Sequence, residues 1–78
     1  MINIPHNPNA LLRRQQAAEA LTAAGFPTSA ATLATKASRG GGPTYRLFGR
    51  LPLYRWADAL AWAEGRLSAP RSNTTEAA

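Results

Sequence analysis

The chain has 78 residues, no cysteine and a formal net charge of +5. This length allows one small domain with a thin core, and the absence of thiols excludes a disulfide framework and a thiolate metal site. No apolar run approaches the roughly 20 residues of a membrane-spanning helix, and residues 1–10 lack the basic and apolar regions of a signal peptide. We therefore expect a soluble, cytoplasmic protein.

A pair of helices is predicted after an irregular arm at residues 1–10. Apolar residues recur at helical spacing across residues 11–24, which predicts the first helix. A Gly-Phe-Pro sequence ends this helix, because glycine adopts the left-handed cap conformation and proline cannot extend the helix. A second, short helix is predicted over residues 29–37, with Thr28 or Ser29 as its N-cap.

A β-hairpin is predicted over residues 40–54. Apolar residues alternate with other residues on both sides of Gly49-Arg50, and glycine at the first loop position suits a type II′ turn with Arg50 at its exposed tip. Pro52 has no backbone N–H, which predicts that the second strand lies at a sheet edge. The residues expected in or toward the core are Tyr45, Leu47, Tyr54 and Trp62.

The last predicted helix covers residues 55–67, and the polar residues 68–78 are expected to form a disordered tail. One domain therefore spans residues 11–67. The apolar arc of the last helix is wider than one packing face needs. Trp56 and Leu60 are consequently either wrapped by the core or partly exposed as a self-association patch.

Positive charge is concentrated in one part of the sequence. No acidic residue lies between Glu19 and Asp58. The basic residues inside this window are Lys36, Arg39, Arg46, Arg50 and Arg55. A stretch of one charge sign on a small helix-and-hairpin domain is typical of a protein that binds a polyanion, most often duplex DNA.

The sequence offers little for catalysis. It has one histidine and four acidic residues that are scattered singly, so neither a base–nucleophile pair nor a metal-ligand cluster is apparent. The glycines at residues 40–42 precede a predicted strand and not a helix, unlike those of a phosphate-binding loop. We expect no enzymatic activity, no cofactor, no metal and no small-molecule substrate.

Several motifs occur in an order that resembles a known family. They are Gln16-Ala17-Ala18-Glu19-Ala20-Leu21, then Thr32-Leu33, then Gly41-Gly42-Pro43-x-Tyr45-x-x-Phe48-Gly49-Arg50-x-x-x-Tyr54, and finally Asp58-x-x-Ala61-Trp62. In this order and spacing they resemble the MerR-like winged helix-turn-helix of excisionases, also called recombination directionality factors. The resemblance covers residues 11–67 and implies a mostly α fold with a β-hairpin, the winged helix-turn-helix.

The resemblance implies a nucleoid-associated protein that binds double-stranded DNA. Its second helix would enter the major groove and its hairpin wing would contact the adjacent backbone or minor groove. Several copies would bind side by side near a recombination attachment site, bend the DNA and bias an integrase, a tyrosine recombinase, toward excision. Carried onto matching positions, the recognition helix offers Thr28, Ser29, Thr32 and Lys36, and the junction and wing offer Arg39, Arg46 and Arg50.

The second helix departs from the family pattern because it is rich in alanine. Few of its side chains can make bidentate contacts to bases. Phosphate contacts and the wing are therefore expected to supply much of the affinity, with sequence preference arising partly from groove width and bendability.

The predicted contact residues also have simpler structural explanations. Thr28 and Ser29 would serve only as helix caps, and Lys36 and Arg39 would interact with the C-terminal end of the helix dipole. The two hairpin arginines would be ordinary solvent-facing charges. Two other functions stay open: a small transcriptional regulator of a phage or mobile element with the same fold, and a protein-interaction module that binds an acidic partner.

Overall fold

The computed structural model describes residues 4–72. In chain order these residues form strand β1 (Leu11–Arg13), helix α1 (Arg14–Ala23), helix α2 (Ala30–Arg39), strand β2 (Arg46–Phe48), strand β3 (Leu51–Arg55) and helix α3 (Trp56–Gly65). Within this described part of the chain the fold is mixed α/β, with three helices and one three-stranded antiparallel sheet in the order β1-β3-β2. The expectation of a mostly α fold with only a hairpin is thereby corrected, since a third strand joins the hairpin.

Strand β1 shows that the predicted start of the first helix at residue 11 is wrong. Its register with β3 is Leu11↔Arg55, Leu12↔Tyr54 and Arg13↔Leu53. Helix α1 begins at Arg14, and the side-chain Oε1 of Gln16 accepts a hydrogen bond of 2.9 Å from the Arg13 N–H just before it. Pairing with a distant strand therefore overrides the helical spacing of these three residues.

The turn between α1 and α2 follows the predicted chemistry. Gly25 has a φ of 105°, a conformation that glycine adopts without strain. The Thr22 hydroxyl accepts a hydrogen bond of 3.2 Å from the Thr28 N–H and so fastens the two sides of the turn. Ser29 is the N-cap of α2, as its hydroxyl accepts a hydrogen bond of 3.0 Å from the Thr32 N–H. The second helix is confirmed and extends to Arg39, two residues beyond the predicted end.

The hairpin loop has the predicted geometry. Gly49 has a φ of 66°, whereas no residue other than glycine has a positive φ within the described chain. A positive φ at the first loop residue alone, and not at Arg50, is the pattern of a type II′ turn. The cross-strand pairs are Arg46↔Leu53, Leu47↔Pro52 and Phe48↔Leu51.

The predicted edge position of the strand that contains Pro52 is wrong, because β3 is the central strand. In a two-residue hairpin the pair next to the loop exchanges both hydrogen bonds, and the next pair exchanges none. The missing N–H of Pro52 therefore points away from β2, toward the side occupied by β1. Strand β1 ends opposite Leu53, so no partner is lost at Pro52.

The core lies between the helices and one face of the sheet. The largest fully buried side chains are Tyr54, Leu21 and Leu33. Much of the rest is alanine, namely Ala17, Ala18, Ala20, Ala59 and Ala63. Leu12 and Trp62 pack against both of the clusters into which this core divides. The core is thin, as the chain length predicts.

The predictions about burial hold for Tyr54, hold in part for Trp62 and fail for Tyr45 and Leu47. Trp56 is only 5% exposed and belongs to the core, so of the two alternatives for this residue the structure shows that the core wraps it. Tyr45 and Leu47 were expected to face the core but are 38% and 64% exposed. Helices α1 and α3 pack on β3, and β2 lies beyond the area that they cover. Trp62 is half-buried, and Leu60 is half-buried against the core.

The segment before β1 is irregular but attached to the domain. The N–H groups of Trp56 and Ala57 donate hydrogen bonds of 2.9 and 2.8 Å to the carbonyls of Ala10 and Pro8. These contacts satisfy N–H groups that would otherwise lack partners in the first turn of α3. At the other end, residues 67–72 form no helix or strand. Residues 1–3 of the predicted arm and 73–78 of the predicted tail lie outside the described residues.

Candidate nucleic-acid interface

Helix α2 has one buried side and one uncovered side. Leu33 is fully buried against Ala17 and Ala18 of α1, so the opposite side of α2 faces away from the core. The side chains on that uncovered side are Ala31, Thr32, Thr35 and Arg39, all exposed, with half-buried Lys36 beside them. Thr32, Thr35 and Arg39 stand at i, i+3 and i+7 and therefore form one stripe along the helix.

Thr35 is an addition to the residues predicted from the sequence. It is exposed and lies beside Thr32 and Lys36 along a shallow depression in the helix surface. The sequence could have predicted this position, because Thr35 follows Thr32 by three residues and residues three apart share a helix face.

Thr28 and Ser29 are engaged in the turn that begins α2. The Thr28 hydroxyl donates a hydrogen bond of 2.8 Å to the carbonyl of Phe26. The Ser29 hydroxyl caps the helix and also lies 2.9 Å from the hydroxyl of Thr32. The capping explanation is confirmed for Ser29, and Thr28 stabilises the turn. Contact of either residue with DNA stays a prediction.

Lys36 and Arg39 place positive charge in the last turn of α2. They oppose the partial negative charge of the helix C-terminus, which is a favourable arrangement. The helix ends where the Gly40 N–H donates a hydrogen bond of 2.7 Å to the carbonyl of Lys36. Arg39 is exposed at this junction between α2 and the segment that leads to the hairpin.

The segment between α2 and β2 is held by both neighbouring helices. The indole N–H of Trp62 in α3 donates a hydrogen bond of 2.7 Å to the carbonyl of Gly41. Gly42 lies so close to α2 that a Cβ atom at this position would be 2.9 Å from the Cβ of Lys36. These two contacts fix where the chain leaves α2, and Pro43 is buried immediately afterwards.

The two hairpin arginines occupy different places. Arg50 is exposed in the turn between β2 and β3. Arg46 is also exposed, but its register opposite Leu53 places it on the sheet face that points away from α1 and α3. The structure therefore places Arg46 on the side of the sheet opposite the one on which α1 and α3 pack.

Other arginines have their own partners within the domain. The guanidinium of Arg55 donates hydrogen bonds of 2.8 Å to Asn9 Oδ1 and 3.2 Å to Asp58 Oδ1. The Arg14 Nε donates a hydrogen bond of 3.0 Å to the hydroxyl of Tyr54. In contrast, among residues 4–72 no salt bridge neutralises the basic residues proposed for the interface, which are Lys36, Arg39, Arg46 and Arg50.

The described residues were also searched for metal-binding clusters and for membrane-spanning helices. Within residues 4–72, no group of three or more His, Cys, Asp or Glu side chains is arranged to bind a metal ion. The helices of the same part of the chain are too short or too polar to span a membrane.

The chain was also compared with known proteins. It matches no protein-family model, no curated protein and no solved structure. A functional assignment therefore rests on the sequence motifs and on the geometry described above.

Proposed function

We propose that the protein binds duplex DNA as a winged helix-turn-helix. Helices α1 and α2, with the Gly25 turn between them, supply the helix-turn-helix, and the hairpin of β2 and β3 supplies the wing. The observation that carries the proposal is the uncovered side of α2. It presents hydroxyls and cations whose charges have no carboxylate partner within the described residues, and it leads through a fixed junction into a hairpin tipped by Arg50.

The dimensions and chemistry of α2 suit a major groove. Its ten residues extend about 15 Å, and the groove of B-DNA is wide enough to admit a helix. Thr32 and Thr35 offer short hydroxyls, which hydrogen-bond to bases without the selectivity of a bidentate contact. Lys36 and Arg39 supply charge for phosphates. We therefore assign most of the affinity to phosphate contacts and part of the sequence preference to DNA shape.

The wing contact is assigned to Arg50 and not to Arg46. Arg50 lies at the projecting turn, where a wing reaches the backbone or the minor groove beside the recognition helix. Arg46 lies on the sheet face opposite the helices. A duplex that contacts α2 and the hairpin tip has no need to reach that face.

The motif resemblance supports a narrower role as an excisionase. Several copies would bind side by side near an attachment site, bend the DNA and bias a tyrosine recombinase toward excision. The burial of Trp56 removes it from the self-association patch considered on α3, which leaves half-buried Leu60 as the residue of that patch that could contribute to contacts between copies. A small transcriptional regulator would use the same DNA interface.

A fluorescence-anisotropy titration tests DNA binding. The purified protein is titrated against duplexes from its own genomic neighbourhood and a scrambled control, at low and near-physiological salt. Cooperative binding that survives the higher salt on one neighbourhood fragment is the expected result, since non-specific affinity falls steeply with salt. Equal loss of binding on every duplex would reject a site-specific DNA protein.

The Arg50→Ala variant tests the wing. Each lost phosphate contact should reduce the slope of log affinity against log salt by about 0.9. The control is Arg66→Ala, which removes the same charge from the end of α3, outside the proposed interface. An unchanged slope for Arg50→Ala, or an equal change for both variants, would reject the assigned contact.

A recombination assay separates the two biological roles. The binding fragment is placed on a plasmid with the attachment sites and incubated with the neighbouring integrase. Stimulation of excision by this protein supports the excisionase role. Binding at a promoter with no effect on excision would assign transcriptional regulation instead.

A further inference from the structure

The face of the sheet that points away from the helices is apolar. Because side chains alternate along strands, Leu12 and Tyr54 point into the core and their strand neighbours point outward. We call the outward-facing apolar residues the outer apolar face; they are Leu11, Phe48, Leu51 and Leu53. Phe48 stands directly opposite Leu51 across the two hairpin strands, so the face is shared between strands.

This face is exposed to an unusual degree. Phe48 is 74% exposed, Leu11 57% and Leu51 41%. A single exposed apolar side chain is ordinary, but several adjacent ones on a small protein mark an interaction surface. A groove of about 590 Å³ is lined by Leu11, Phe48 and Leu53 of this face and, in and just before the edge strand β2, also by Tyr45 and Leu47.

Arginines surround the outer apolar face. Arg13 and Arg46 both stand opposite Leu53, one on each neighbouring strand, and Arg55 stands opposite Leu11. The carboxylate that lines the groove is Asp58, which already accepts a hydrogen bond from Arg55. The apolar residues therefore form a diagonal band across the sheet from Leu11 to Phe48, and the arginines on both sides of this band form its positive rim.

These features favour a protein partner over nucleic acid or a second copy. A phosphate backbone would use the arginines but leave the leucines and Phe48 uncovered. A second copy in a symmetric contact would bring the arginine rims of both copies together, with an unfavourable Coulomb energy. A protein segment with both kinds of side chain complements the whole surface, because its carboxylates can pair with the arginines while its large apolar side chains cover the outer apolar face.

The backbone of β2 adds to this complementarity. Strand β2 lies at the edge of the sheet and pairs on one side, with β3. An extended segment can therefore form main-chain hydrogen bonds with the other side, as in recognition by strand addition. Its side chains would then extend over the outer apolar face.

We propose that the outer apolar face binds an acidic, apolar segment of another protein, separately from the DNA interface on α2. The surface would let the domain hold a partner protein while it is bound to DNA. This proposal does not depend on DNA binding, and its test uses a different ligand.

Selection from a random library identifies the segment without prior choice of a partner. Phage-displayed random dodecapeptides are selected on the wild-type protein, and the most enriched peptide is synthesised with a fluorescein label. Enriched sequences should combine Asp or Glu with Leu, Ile, Phe or Trp. Enrichment of peptides that lack carboxylates, or no enrichment at all, would overturn the proposal.

Two variants locate the binding surface. Leu11→Ser and Phe48→Ser remove exposed apolar side chains from opposite edge strands, and each should weaken binding of the labelled peptide at least about tenfold, as expected for an anchor residue. Leu67→Ser is the matched control, because Leu67 is 65% exposed but lies beyond α3. Equal peptide affinity of Leu11→Ser and the control would overturn the proposal. Circular dichroism confirms that each variant is folded.

Competition experiments separate the possible occupants. Duplex DNA should not displace the labelled peptide, and Leu11→Ser should bind duplex DNA as the wild type does, since Leu11 lies on β1. Displacement by DNA would assign the face to nucleic acid. Sedimentation that shows a wild-type dimer which Phe48→Ser dissociates would assign it to a second copy. Either result would overturn the proposal, and neither would change the outcome of the Arg50 test.

Discussion

Replacing Gly42 by alanine tests the close approach of the junction between α2 and β2 to helix α2. The added Cβ would lie 2.9 Å from the Cβ of Lys36, whereas carbon atoms in contact prefer about 3.5–4.0 Å. The Lys36 Cβ is attached directly to the helix backbone, so it cannot rotate away. Positive φ angles occur at Gly40 and Gly41 but not at Gly42, and backbone strain therefore adds nothing to the effect.

The expected cost is that of overpacking. Inserting a methyl group where there is no space typically destabilises a protein by about 1–3 kcal/mol. For a domain of this size, each kcal/mol lowers the Tm by roughly 4–8 °C. Gly42→Ala should therefore lower the Tm by between about 4 and 24 °C in a thermal unfolding experiment followed by circular dichroism.

The matched control is Gly65→Ala. A Cβ at Gly65, the last residue of α3, meets nothing within 4 Å. Alanine also favours a helix over glycine by up to about 1 kcal/mol, so the Tm of this variant should stay the same or rise slightly. A Tm for Gly42→Ala within about 2 °C of the wild type would refute the claim that Gly42 is in close contact with α2.

Two further predictions concern single hydrogen bonds. Ser29→Ala removes the acceptor of the Thr32 N–H and should lower the free energy of unfolding by about 1 kcal/mol, measured by urea denaturation; an unchanged midpoint would contradict the cap. Tyr54→Phe keeps the buried ring but removes the partner of the Arg14 Nε, and because half-buried Arg14 can bind water instead, we expect a loss of about 1 kcal/mol. A loss above about 3 kcal/mol would mean that Arg14 is left without a partner.

Local chemistry explains the predictions that hold. The end of α1, the Ser29 cap and the type II′ turn at Gly49 each depend on residues within a few positions of one another. Glycine permits positive φ and serine accepts a hydrogen bond from the helix N-terminus whatever the rest of the chain does. These features are therefore readable from the sequence.

The candidate interface was also largely predicted, because charge and helix position are sequence properties. The uncovered side of α2 contains the predicted Thr32, Lys36 and Arg39. It also contains Thr35, which was not predicted although it lies three residues after Thr32 and so on the same helix face. The sequence did not reveal that Arg46 lies on the opposite sheet face from the helices. The strand register and the sheet face turned toward α1 and α3 decide that separation, and both are set by distant contacts.

By itself the sequence determined the approximate positions of three helices and a hairpin, and a basic stretch without acidic residues, since each follows from composition, spacing or local conformation. Only the tertiary structure decided that residues 11–13 form a strand, that Pro52 lies in the central strand, and that Trp56 is buried while Phe48 is exposed. The physical reason is that strand pairing and burial depend on which distant segments meet. A helical or alternating pattern shows that a segment has an apolar face, but it cannot specify what covers that face.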